Sequence, residues 1–149
     1  LRPKAQERTR EGDLPQVFAD MFGWEDLVRR VARVYHALPD SERTKCAIFA
    51  GNYGEAGALE LYASRYPLPR VICNQNTYWF WGVGPTPITT FIRLGGTRDD
   101  YFESYDDVTA AGVHRCRWAM PYENDLGIFI ARRRKVPIEQ AWPGYKRFE

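Results

Sequence analysis

Apolar residues recur with two periods along this chain, and the points where the period changes mark the expected elements. Leu27, Val28, Val31, Val34, Tyr35 and Leu38 follow Trp24-Glu25-Asp26 at helical spacing, with Arg29, Arg30 and Arg33 turned away. This predicts an amphipathic helix that stops at Leu38-Pro39-Asp40, with Asp40 to Arg43 as a surface turn. A shorter helix is expected before it: Asp13 stands as N-cap ahead of Pro15, Val17, Phe18, Met21 and Phe22 share a face, and Gly23 closes it. Lys45 to Ala50 is a short, mostly apolar run that reads as a strand. After a glycine turn the helical period resumes from Glu55 to Tyr66, ending at Pro67-Leu68-Pro69. Val71 to Cys73 then predicts a second strand, and strand, helix and strand in that order predict a right-handed, parallel βαβ unit.

Further along, Ile88 to Leu94 predicts a third strand after the rigid Gly84-Pro85-Thr86-Pro87 turn. Asp99 to Val108 reads as a helix with Tyr101, Phe102 and Tyr105 on one side. Cys116 to Met120 and Gly127 to Ala131 read as strands, Arg132 to Lys135 as a basic turn, and Ile138 to Phe148 as a short helix or ordered tail packed through aromatics. Residues 1–12 are polar, without apolar periodicity, and predict a flexible lead-in. The expected architecture is therefore one α/β domain over residues 13–149. Its sheet is expected to be mixed but largely parallel, with a Rossmann-like βαβ core and helices on both faces.

Composition narrows the function classes. With 44% hydrophobic and 27% charged residues the 149-residue chain is globular and long enough to bury a core. Its formal charge of +2 is small and its basic residues are dispersed, so no nucleic-acid partner is implied. Cys46, Cys73 and Cys116 lie far apart without a C-x-x-C pair, and read as free thiols rather than a metal site or a disulfide framework. No cofactor or metal is implied. No apolar run is long enough to span a membrane. The chain opens at Leu1 without a methionine and is expected to be a fragment of a longer protein.

Two constellations could carry chemistry. The first is the turn Gly51-Asn52-Tyr53-Gly54-Glu55-Ala56-Gly57, at what reads as the carboxyl end of a strand, where open α/β sheets place ligands. Its G-x-x-G-x-x-G spacing is not the dinucleotide fingerprint, and Glu55 stands where a phosphate would sit. The glycines either permit close packing or frame a polar site that uses Asn52, Tyr53 and Glu55. The second joins Asn74, Asn76, Tyr78, Trp79 and Trp81 with Tyr122, Glu123, Asn124 and Asp125. Amides and carboxylates beside flat aromatic faces suit the hydroxyl groups of a sugar. The alternative is that the tryptophans are core and the acids cap turns. Glu55, Glu123 and Asp125 could in principle supply the acid and base of a glycoside hydrolase. A free-standing saccharide-binding module is the further alternative.

The same residues carry a resemblance. Leu14-Pro15-Gln16 with Phe18 to Trp24, Gly51 to Ala58, Asn76 with Tyr78-Trp79 and Trp81-Gly82, and Met120-Pro121-Tyr122-Glu123-Asn124-Asp125 resemble the soluble carboxyl-terminal domain of bacterial membrane glycosyltransferases related to protein mannosyltransferases and aminoarabinose transferases. The chain departs from that pattern at Cys73-Asn74-Gln75-Asn76, where Ser-Gly-His-Asn would be expected. The resemblance implies a parent protein with many membrane helices, a polyprenyl-phosphate-linked sugar donor and catalytic acids outside this chain. It further implies an extracytoplasmic (periplasmic) location, the membrane-embedded domain of the parent chain as partner, and a task in recognising the lipid-linked sugar or the glycan acceptor.

Overall fold

A computed structural model describes residues 12–85 and 87–148, so the expected polar lead-in falls almost wholly outside the described residues. The amphipathic pattern forms helix α2 (Trp24–His36), with α1 (Gln16–Ala19) before it and α3 (Asp40–Arg43) after it. Glu25 and Asp26 in the first turn of α2, and Arg33 and His36 in the last, complement its dipole. Gly23 takes φ 88°, and a Cβ there would lie 2.9 Å from Cys116 Cβ, so only glycine fits where α2 begins. There follow β1 (Cys46–Phe49), α4 (Tyr53–Leu61), β2 (Arg70–Ile72), α5 (Thr77–Trp81) and β3 (Thr90–Leu94). One turn of helix, α6 (Arg98–Tyr101), leads to the long strands β4 (Tyr105–His114) and β5 (Leu126–Arg134), and the chain closes with α7 (Ile138–Ala141) and a 3₁₀ turn over Trp142–Tyr145.

The five strands form one sheet in the order β2-β1-β3-β5-β4. β1 runs parallel to β2 and β3, but the longer pairings, β3 with β5 and β5 with β4, are antiparallel. The domain is thus α/β with a mixed sheet, and the expectation of a largely parallel, Rossmann-like sheet is corrected. The cause lies in the second half. The expected helix over Asp99 to Val108 stops after Tyr101, and from Tyr105 the chain is strand: Val108, Thr109 and Val113 favour extended backbone, and Tyr105 and Val108 are buried. The spacing of Tyr101, Phe102 and Tyr105 imitates a helical face only because it straddles two elements. Cys116 to Met120 is not a strand but part of the β4–β5 loop, closed by the Arg115–Asp125 ion pair and by the Cys116 N–H donating to Asn124 Oδ1 at 3.0 Å. Arg132 to Arg134 belong to β5 rather than to a turn.

Alternation along the central strands sorts the core into two layers. Ile48, Ile92, Leu94 and Ile128 face Leu27, Val28 and Val31 of α2 and Leu59 of α4. Phe49, Phe91, Phe129 and Ala131 face the other way, against Tyr101, Ile138 and Trp142. Helices therefore cover both faces, as expected. One face of α1 was expected to be apolar, and instead Val17 and Met21 are 75% and 71% exposed, with Phe18 and Phe22 also at the surface. The expected helix to Tyr66 ends as regular α-helix at Leu61.

Candidate functional site

The turn from β1 into α4 is fixed by its own side chains. Asn52 is the N-cap, and its Oδ1 accepts the Glu55 N–H at 2.8 Å. The Glu55 carboxylate reaches back, accepting the Gly51 N–H at 2.6 Å and the Asn52 amide at 3.3 Å. Asn52 thus caps the helix, while the Glu55 carboxylate holds the N–H one residue before the cap and the cap's own side chain. None of Gly51, Gly54 and Gly57 takes a positive φ. Gly51 and Gly54 serve close approach: a Cβ on Gly51 would stand 3.2 Å from both the Glu55 carboxylate and the Leu94 carbonyl, and one on Gly54 3.2 Å from Asn52 Oδ1 and 3.4 Å from the Trp24 ring, whereas a Cβ on Gly57 would meet only the Tyr78 hydroxyl at 3.9 Å. The Tyr53 N–H donates to Gln75 Oε1 at 2.9 Å, tying the turn to the segment after β2.

Glu123 comes to the same turn from the β4–β5 loop. It and Glu55, 8% and 2% exposed, line a cavity of about 10 Å³ together with Trp24 and His114. That space holds about one water and no sugar ring. His114 is buried beside Asp26, Nδ1 to Oδ2 3.2 Å, and burial holds its pKa below the ordinary value although Asp26 opposes the shift. Asp125 instead lies at the surface with φ 55°, paired to Arg115 at 2.7 Å, and Tyr122 is half-buried.

The aromatic segment forms α5, which straddles the two layers. Asn76 enters it at φ 52°, its N–H donating to the Arg147 carbonyl at 2.9 Å. The Tyr78 hydroxyl donates to Glu60 at 2.9 Å, and burial together with that carboxylate pushes the phenol's pKa up. Trp79 packs on the opposite layer from Glu55, exchanging indole-to-carbonyl hydrogen bonds of 3.0 Å with Trp142 in both directions. Trp81 is 60% exposed. The candidate residues therefore do not line one cleft: Asn52, Glu55 and Glu123 meet, whereas Trp79, Trp81 and Asp125 are directed elsewhere. No protein family, curated protein or solved structure matches the chain.

A second pocket, of about 250 Å³, opens where β1 ends; Gly51 and Asn74 line it, but its arginines and tyrosines are not among the sequence candidates. It is lined by Arg93, Arg134 and Arg147 among Tyr101, Tyr105 and Tyr145, with Gly51 at its edge. The Arg93 guanidinium lies 3.8 Å from the Phe49 ring centre and 4.9 Å from that of Tyr101. Arg134 lies over Tyr105 and Tyr145 at 5.2 and 5.5 Å and donates to the Tyr145 hydroxyl at 2.5 Å. Burial raises the Tyr145 pKa, but the hydrogen bond and charge of Arg134, with help from Arg93, outweigh it and hold the phenol below its ordinary value. Arg147 arrives from the tail, which is pinned by the Arg147 N–H donating to the Asn74 carbonyl and by the Asn74 amide donating to the Tyr145 carbonyl.

The signal for this pocket was present in the sequence at Arg93, a charged residue alternating in phase with Phe91 inside an apolar strand. Arg134 was hidden. Ala131 faces the pocket's layer and Arg132 the other, where it bonds Glu42 at 2.7 Å, so simple alternation would return Arg134 to the Arg132 side. Arg133 takes φ 52°, breaks the alternation, and lets Arg134 lie against Tyr105 and Tyr145.

Proposed function

We propose that this chain is the extramembrane, non-catalytic domain of a polytopic bacterial glycosyltransferase that draws on a polyprenyl-phosphate-linked sugar, placed on the extracytoplasmic face of the membrane beside the parent's embedded domain. The observation that carries this reading is how the four segments of the resemblance are used. Gly23 and Trp24, Glu55, and Glu123 line one small cavity, and Tyr78 of the third segment lies against Gly57 and donates to Glu60 of α4, the helix that leaves the same turn. The shared residues thus specify an interlocked scaffold around the β1–α4 turn, not an open acid and base pair. The Glu55 carboxylate is occupied by two donors of its own turn, and the cavity it shares with Glu123 has no room for a glycosidic bond.

Incubating the isolated chain with a panel of aryl glycosides and with lipid-linked sugar tests the non-catalytic part of this reading. The expected result is no release of aglycone or sugar. Turnover that disappears in Glu123→Gln would replace the reading with that of a carboxylate-dependent hydrolase.

A further inference from the structure

The pocket at the end of β1 has a chemistry that neither the scaffold role nor the carboxylates explain. Three guanidinium groups, Arg93, Arg134 and Arg147, converge on about 250 Å³ that contains one lining carboxylate, Asp100. Asp100 Oδ2 is already engaged by the Thr97 N–H at 2.6 Å and the Thr97 hydroxyl at 2.8 Å. The next carboxylate, Glu55, lies behind Gly51 and is held by the Gly51 N–H. The lining groups thus leave a formal charge of +2 around the space. The Nε–H groups of Arg93 and Arg134 and the Tyr105 hydroxyl are buried with no hydrogen-bond partner among the described residues, which a bound anion or ordered water would satisfy.

Position and rigidity agree with this. β1 pairs in parallel with β2 on one side and β3 on the other, and the pocket lies at its carboxyl end, where the connections diverge and open sheets bind ligands. Aromatic rings brace Arg93 and Arg134 in fixed planes, so little side-chain freedom is lost when an anion docks. A carboxylate ligand would be satisfied by one bidentate arginine. Three arginines and a net charge of +2 instead match a tetrahedral phosphate, which carries about −1.5 to −2 near neutral pH and three acceptor oxygens.

We infer that Arg93, Arg134 and Arg147 form a binding site for the phosphate group of a small phosphomonoester. The volume leaves room beyond the phosphate itself for a group of about monosaccharide size, below the range of drug-sized pockets. The site stands on this pocket alone and holds whether or not the glycosyltransferase reading does.

Titration of the 149-residue chain by calorimetry tests it, with inorganic phosphate, glucose 1-phosphate, glucose, acetate, and vesicles containing phosphatidic acid as probes. Side-chain Nε–H resonances of Arg93 and Arg134 are followed by NMR in parallel. Phosphate and glucose 1-phosphate are expected to bind and to shift both Nε–H resonances, glucose and acetate to bind at least tenfold more weakly, and Arg134→Gln and Arg147→Gln to weaken phosphate binding at least tenfold. Vesicle binding that free phosphate displaces would support the site with a lipid headgroup as source. Arg147 lies at the surface, so its variant remains informative if Arg134→Gln fails to fold. Absence of binding by every phosphate probe, or binding unchanged in Arg147→Gln with neither resonance moving, overturns the inference.

Discussion

Glu55 is buried at the turn between β1 and α4, and its carboxylate accepts hydrogen bonds from that turn. Asn-x-x-Glu at the start of a helix is a capping signal; here Asn52 caps α4, and the Glu55 carboxylate serves the Gly51 N–H one residue earlier and the Asn52 side-chain amide. Glu55→Ala removes both acceptor bonds from a buried turn and is expected to lower unfolding free energy by about 2 kcal/mol, measured by urea denaturation. A change below about 0.5 kcal/mol would show that these two bonds do not hold the turn. His114 makes a pH-dependent contribution at the same junction. Its partners are Asp26 at 3.2 Å, Arg30 on the same helix, and the Glu55 and Glu123 carboxylates across the small cavity. Because burial depresses its folded pKa below the ordinary 6.5, the unfolded chain takes up the proton first on acidification. Stability from this group is present above about pH 6.5 and is lost as pH falls through the folded pKa. Asp26, Glu42 and Asp100, whose pKa values are also held down, add their share only in the lower carboxylate range. Urea midpoints between about pH 7 and 5 are expected to fall in the parent chain and to flatten in His114→Gln, and an identical slope in both would contradict the assignment.

At the scale of elements, what was legible followed from period. Helix α2, strand β1 and strand β3 have long or unbroken apolar patterns, and their boundaries agree with the sequence reading to within two residues. What was not legible depended on tertiary pairing. β4 is an edge strand carrying Asp106, Asp107 and Gly112, with a register shift between Ala110 and Gly112, so no local alternation announces it. The same is true of the pocket: Arg93 betrays itself by alternating with Phe91, whereas Arg134 reaches its place only through the left-handed residue Arg133. Arginine in that conformation is strained by about 1–2 kcal/mol. Arg133→Gly relieves the strain at some cost in chain entropy and is expected to stabilise the domain by about 0.5–1 kcal/mol, raising its thermal midpoint by a few degrees. A lower midpoint would mean that the Arg133 side chain contributes more than its backbone strain removes.

For the whole molecule, the mixed sheet separates two regions, one on each layer. On one layer, the motif residues knit α2, α4 and the β4–β5 loop into a scaffold around a cavity too small for a sugar. On the other, the ends of β1, β3 and β5 and the pinned tail assemble an arginine and tyrosine pocket. Antiparallel pairing sets Arg93 opposite Phe129 and carries Arg134 past the amino end of β3, so the two arginines enter the pocket from opposite ends of that strand, and the left-handed Arg133 turns Arg134 toward it. Such a domain fits a chemistry completed elsewhere in a larger protein, which is the central claim. The most direct measurement is sugar transfer from a polyprenyl-phosphate donor, assayed with the isolated 149-residue chain and with membranes holding the polytopic protein proposed to contain it. Transfer by those membranes and none by the isolated chain is the expected result. Transfer or hydrolysis by the isolated chain at the parent's rate, or a full-length protein without membrane spans, would contradict it.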